Sequence, residues 1–493
     1  MNEREDAAAV EVDTVIVGAG FGGLAMGIRL SRRGDDFVVL ERGDDVGGTW
    51  RDNVYPGVAC DIPSHLYSFS FAPKHDWSRF FAPGSEIQDY LRDTASEIAD
   101  RIRLGTDVLD MRWDADDDRW LVTTSTGYYS CRTLVVAAGR LSEPRMPRLS
   151  GLDTFTGAAF HSARWDDSVD LAGKRVGVVG TGASAVQLVP RLADTAASVV
   201  VFQRSAAYVV PRPDREYSAA EIARFERDPA ELRRTRERLF WKAEEGFAQR
   251  IGVPAAIDGL RDSALAHRTA QVADPKLRAA LTPDYEIGCK RVLLSDDFYP
   301  ALERDSVTLE ASALEAVDGG RVTAASGAEY DLDVLVFATG FVSTRPPFAE
   351  RVVGRGGIRL SDAWSDGMVA FASTTVHGFP NLFVIDGPNA SLGHNSAIVM
   401  IEAQVEYILG ALDASAGATL EVTAEAQAGY VDGLDARSAN TVWLEGGCDS
   451  WYVDAESRRL TLLWPDFAFA FRDSLAEFDP APYRITSLNT VSI

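Results

Sequence analysis

The sequence predicts an α/β chain with two Rossmann-like dinucleotide-binding domains, the second carrying a helical insertion. Three observations lead there. A strand, glycine turn and helix occur in succession twice, as "TVIVGAGFGGLAMGIRL" and "VGVVGTGASAVQLVPRL". Each is followed by a second β-branched strand, "DFVVLE" and "SVVVFQR". Each unit then closes on an apolar strand ending in glycine, "LVVAAG" at Gly139 and "VLVFATG" at Gly340.

At 493 residues the chain exceeds one hydrophobic core, so two or more domains are expected. Its hydrophobic and charged fractions, 46% and 25%, are those of a water-soluble globular protein. No stretch reaches the roughly 18 uninterrupted apolar residues that cross a bilayer. The start, "MNEREDAAAVEVD", has acid where a signal peptide has its basic region, so a cytoplasmic location is expected. A net charge of -24 opposes nonspecific binding to nucleic acid or anionic lipid. Cys60, Cys131, Cys289 and Cys448 form no CxxC pair, which disfavours a zinc site, a disulfide scaffold and a dithiol redox centre. No metal is expected.

In the first motif, Gly18, Gly20, Gly22 and Gly23 let a pyrophosphate approach backbone N–H groups at a helix N-terminus, where the dipole favours an anion. Glu41, 23 residues after Gly18, ends the next strand where a carboxylate accepts ribose hydroxyls. In the second motif, Gly180 and Gly182 recur and Ala185 replaces the last glycine. Gln203 takes the place of the acid and Arg204 stands beside it. A glutamate would repel a 2′-phosphate, whereas arginine pairs with one bidentately. The first site is therefore expected to take an adenosine with a free 2′-hydroxyl, and the second NADP(H).

The first unit contains an expected β-meander in "RWLVTTSTGYYSCRTLVVAAG". The second is longer because of helix formers in "EYSAAEIARFERDPAELRRTRERLFWKAEEGF", about residues 214–285, which either shape a cavity or merely cover the domain. After Gly340, "GFPNLFVIDGPNA" and "SAIVMIEAQVEYILGAL" read as a strand and helix that complete the first domain, leaving the second inserted within it.

Two nucleotide units in this order resemble two-domain flavoprotein reductases and monooxygenases, in which FAD occupies the first and NADP the second. Phe155-x-Gly157-x-x-x-His161-x-x-x-Trp165-Asp166 narrows the resemblance, because it matches the fingerprint of type I Baeyer–Villiger monooxygenases. Gly48-Thr49-Trp50, Tyr55-Pro56-Gly57 and Asp61 match a second signature of that family. The resemblance implies FAD-domain parts at residues 1–150 and 341–493, the latter including a C-terminal lid segment, and an NADP domain at 151–340. It also implies that NADPH reduces FAD and that the reduced flavin adds O2 as a C4a-peroxide. The peroxide then inserts one oxygen beside the carbonyl of an apolar ketone, giving an ester or lactone.

The cofactor performs the hard chemistry, so the protein's task is to stabilise oxyanions, exclude water and orient partners. By resemblance, Arg291 in "YEIGCKRVLL" is the permanently charged donor beside the peroxide, and Lys290 joins Arg204 at the 2′-phosphate. Asp61 holds Arg291 by a charge-assisted hydrogen bond. Thr49 and Trp50 lie on the FAD side. Val108 is a candidate for presenting backbone to the adenine, with an ordinary core valine as the alternative. Trp451, in an aromatic-rich tail, matches a family tryptophan near NADP. His161 is expected to act indirectly, through domain movement, or to be a packed core residue. "GPNASLGHNS", with His394, resembles a segment beside the flavin ring. Three other readings stay open: oxygenation of sulfur or nitrogen, an NADPH-dependent flavin reductase, and a noncatalytic nucleotide-binding module.

Overall fold

The structure, a computed structural model, describes residues 9–486. Residues 1–8, most of the acidic start, and residues 487–493 lie outside the described residues. Val10–Val17 is a central strand of an eight-stranded sheet, parallel to Phe37–Leu40 on one side and Tyr128–Val136 on the other. Its second half is buried, as the β-branched run requires of a parallel strand covered on both faces. The helices Phe21–Arg33 and Ala397–Ser415 share a core through Leu24, Ile28, Ile401 and Ile408.

Tyr128–Val136 joins the parts of this sheet. Its first half pairs antiparallel with Arg119–Thr124, which pairs in turn with Val108–Asp114, so the meander continues the sheet. Its second half also pairs in parallel with Leu382–Val384. The chain thus returns to the first sheet only after building the second. That second sheet has five parallel strands, ordered Val307–Glu310, Ser198–Phe202, Arg175–Val179, Val334–Phe337 and Ala158–His161. Here the meander Leu314–Asp318, Arg321–Ala324, Glu329–Asp331 forms a separate sheet.

The insertion folds as the helices Ala219–Arg227, Pro229–Glu244, Phe247–Arg250, Pro254–Gln271 and Pro275–Ala280. Local residues set the boundaries. Ser218 and Glu221 form a reciprocal capping box, and Asp228 and Asp274 cap helices that begin with proline.

One expectation is corrected. Cys289 and Cys448 form a disulfide, with Cα atoms 6.2 Å apart and a sequence separation of 159. Reading spacing for CxxC pairs could not find a bridge made by folding the tail onto the segment that follows the insertion. Cys60 and Cys131 are free and buried. Among the described residues no helix is long and apolar enough to cross a membrane, and no group of three metal-ligating side chains occurs.

Candidate active site

The two glycine turns are built alike. Gly18 and Gly180 adopt φ of +101° and +112°, and a Cβ on them would lie 2.6 Å and 2.5 Å, respectively, from the carbonyl oxygens of Ala137 and Ala338, just after the two closing strands. Only glycine satisfies both the backbone sign and the contact. The helices that follow start at Phe21 and Ala183, with Gly20 and Gly182 at their N-caps and no side chain capping either. Their first N–H groups are therefore available to a pyrophosphate. Gly22 and Gly23 are buried in the first turn, and Ala185 is buried at the corresponding place in the second helix.

Glu41 is 4% exposed and already engaged. It accepts hydrogen bonds from Ala19 N–H (2.8 Å), Gly43 N–H (2.8 Å) and Arg51 Nη1 (2.6 Å). With two oxygens and about four acceptor positions, it keeps about one for a ribose hydroxyl rather than the pair expected. Arg51 also pairs with Asp52, and Asp52 with Arg164 at 3.3 Å. A chain of charges therefore runs from Glu41 in the first domain into the fingerprint segment, a link invisible in the sequence.

The second signature binds the two domains together. Tyr55 donates to Gln187 Oε1 (2.9 Å), and Gln187 Nε2 donates to the Ala59 carbonyl (2.9 Å). Gly57 has φ +87°, and a Cβ there would come within 2.7 Å of the Gln187 carbonyl oxygen. Thr49 opens a short helix, Thr49–Asp52, and Trp50 Nε1 donates to Tyr67 (3.3 Å). In the fingerprint, Phe160 and Trp165 meet edge to face at 5.1 Å. His161 is 3% exposed, accepts from Ala163 N–H at Nδ1 (3.1 Å), and has its pKa pushed down to about 4 by burial. It is a neutral packed residue.

Lys290 and Arg291 divide their attention. Lys290 Nζ donates to Ser205 Oγ (2.9 Å) beside Arg204, and lies 4.8 Å from the Tyr285 ring centroid. Burial, then the Arg204 charge, lowers its pKa. Arg204 is exposed, and neither cation forms an ion pair with a carboxylate among the described residues. Two cations without a close carboxylate partner beside the second glycine turn suit a 2′-phosphate. Arg291 instead donates from Nε to Asp61 Oδ2 at 2.7 Å, with both side chains about a quarter exposed. Asp61, the Arg291 guanidinium's ion-pair partner, raises its pKa; burial alone would raise that of Asp61, but the guanidinium holds it low.

Sequence reasoning missed Tyr452. It is 2% exposed and interacts electrostatically with Arg291, whereas the expected Trp451 is 38% exposed and lies against the Tyr452 ring at 4.4 Å. The dipeptide "WY" in the tail was the available signal. Also missed was Arg140, directly after the closing Gly139, which pairs with Asp386 and is pushed down to about 10 by burial. Val108 is a 5% exposed core residue whose carbonyl accepts from Arg351 Nη1 at 2.6 Å. His394 is buried 3.2 Å from Glu244, a carboxylate of the insertion.

Comparison with known proteins agrees with this layout. The family profile of pyridine nucleotide-disulphide oxidoreductases matches residues 15–226. A Baeyer-Villiger monooxygenase of Streptomyces coelicolor is 44% identical over 96% of this chain and 92% of its own length. One from Pseudomonas aeruginosa is 40% identical over 98% and 93%. Among solved structures, cyclohexanone monooxygenase from Rhodococcus sp. Phi1 bound to NADP+ superposes with a TM-score of 0.88 at 28% identity, covering 97% of this chain and 100% of its own. An oxidized steroid monooxygenase bound to NADP gives 0.86 at 32% identity, with the same coverage. By this near full-length likeness, the chain belongs to the Baeyer–Villiger monooxygenases.

Proposed function

We propose that the protein is an FAD-containing, NADPH- and O2-dependent monooxygenase that inserts one oxygen beside the carbonyl of a ketone, giving an ester or lactone. When bound, FAD reduced by NADPH supplies the activation of O2. The chain's own residues do the rest. Residues 1–150 and 341–493 form the FAD domain around the inserted NADP domain, 151–340; supporting this is the parallel pairing of Leu382–Val384 with Tyr128–Val136. The helix starting at Phe21 offers N–H groups to the FAD pyrophosphate, Glu41 accepts from its ribose, and Arg204 with Lys290 takes the NADP 2′-phosphate.

Arg291 holds the negative charge that develops on the ketone oxygen. The observation that carries this role is its pairing with Asp61 at 2.7 Å. A guanidinium fixed on one side presents its remaining donors in a set direction and stays charged at any working pH. Asp61 is a positioning residue. Incubating purified protein with NADPH, isotopically labelled dioxygen and panels of ketones and sulfides tests the reading. Labelled esters or lactones support it; label only in sulfoxides, or only hydrogen peroxide, overturns it.

A further inference from the structure

Three arginines lie around Tyr452, each interacting with it electrostatically: Arg140, Arg250 and Arg291. Arg140 is paired with Asp386 and Arg291 with Asp61. Arg250, at the end of the helix Phe247–Arg250 in the insertion, is 7% exposed and pairs with no carboxylate among the described residues. Its Nη2 donates to the Gly393 carbonyl (3.0 Å) and its Nη1 to Gln249 Oε1 (3.3 Å), both neutral acceptors. Its Nε–H has no hydrogen-bond partner among the described residues. Nor has the Nε1–H of Trp443, which is 1% exposed. The two side chains converge beside Gly393: a Cβ there would lie 3.3 Å from Arg250 Nε and 3.1 Å from Trp443 Cζ2.

The nearby carboxylate of Glu244 is committed elsewhere, to Asn395 Nδ2 (2.6 Å), the N–H groups of Ala468 and Phe469, and His394. A desolvated guanidinium with a like-charged neighbour and two unanswered donors calls for an anion with at least two acceptor oxygens. An apolar ketone has one oxygen, and Arg291 claims it. Arg250 comes from the insertion and Trp443 from the C-terminal segment, and Arg250 lies close enough to Arg291 to feel its charge.

We infer that Arg250 and Trp443 form a carboxylate subsite, and that the preferred substrates are oxo acids, ketones bearing a carboxylate at a distance from the carbonyl. The inference rests on the ketone oxygenation proposed above and replaces the purely apolar substrate expected from sequence. The test uses the FAD-loaded enzyme on oxo acids of graded chain length, each compared with its methyl ester. Wild type should favour at least one acid over its ester by about tenfold or more in kcat/KM, mainly through KM. Arg250→Met should lose at least tenfold more on that acid than on the ester, and Arg250→Lys should restore part of the preference. No acid preference at any chain length, or a preference that survives Arg250→Met, overturns the subsite. So does a variant that binds NADP+ more weakly, by calorimetry without ketone, while its acid preference persists; the donors would then serve the dinucleotide. If no ketone of either form is oxygenated, the proposed reaction fails instead. Calorimetric binding of the acids to wild type and Arg250→Met then still decides the subsite, with equal affinity in the two proteins overturning it.

Discussion

Lys290 and Arg291 are adjacent in the chain and serve different partners: Lys290 Nζ reaches Ser205 Oγ at 2.9 Å, and Arg291 Nε reaches Asp61 at 2.7 Å. Ser205 lies just beyond the second strand of the inserted unit and Asp61 in the signature of the first. One dipeptide therefore spans the two halves of the protein, and the disulfide at Cys289 anchors it to the tail. A shift of this segment would disturb both of these contacts together.

Arg204→Ala and Lys290→Ala should each weaken NADPH, not NADH. A charge-assisted contact contributes about 2 kcal/mol, so the KM for NADPH should rise roughly thirtyfold while that for NADH changes little. Initial rates with both nucleotides check this. An unchanged NADPH-to-NADH preference in both variants would remove the phosphate assignment.

Arg291→Ala should still allow NADPH to reduce the flavin, yet yield less product by at least about a hundredfold, the scale of losing an oxyanion donor. Asp61→Asn keeps a hydrogen-bond acceptor but loses the charge, so its loss should be smaller. Single-turnover flavin reduction and product yield separate the two effects. Product formed by Arg291→Ala at the wild-type yield would end the assignment.

Much of this was legible locally. The glycine turns, Glu41 and the Arg204 position follow from strand, turn and helix within about thirty residues, a range over which residue spacing determines placement. Tyr452, Cys448, Trp443 and Gln187 were not legible. Each acts on a residue more than a hundred positions away, and only packing of the insertion and tail brings them there. Gln187 lies on an ordinary helix face until the loop carrying Tyr55 and Ala59 settles on it. Glu41 was located by pattern, but its near-saturation by Ala19, Gly43 and Arg51 emerged only from the fold.

Cys448→Ser should lower stability, because the bridge closes a loop spanning 159 positions in the unfolded chain. Disulfides of this kind typically contribute about 2–4 kcal/mol. The denaturation midpoint should fall, and a dithiol reductant should bring wild type to the same value while leaving the variant unaffected. Reductant-independent stability of wild type would show that the bridge contributes nothing.

Acid sensitivity should come first from buried histidines. His161 and His65 are pushed from the ordinary 6.5 to about 4, in each case chiefly by burial. Between those values the unfolded chain binds protons that the folded one refuses, so stability is complete above about pH 6.5 and falls as pH drops towards 4. Each histidine should contribute a slope of up to about 1.4 kcal/mol per pH unit in that window. Carboxylates held low by arginines, such as Asp333 and Asp454, both at about 2, lose their contribution only at lower pH, below their ordinary 3.8. His161→Asn retains an acceptor for Ala163 N–H but cannot titrate. Its unfolding free energy, measured by denaturant between pH 7 and 5, should therefore fall less steeply than that of wild type by about one histidine's share, whatever the packing cost does to its absolute value. Equal slopes in the two proteins would mean that His161 is protonated in the fold as readily as in the unfolded chain, and would contradict its burial as a neutral residue.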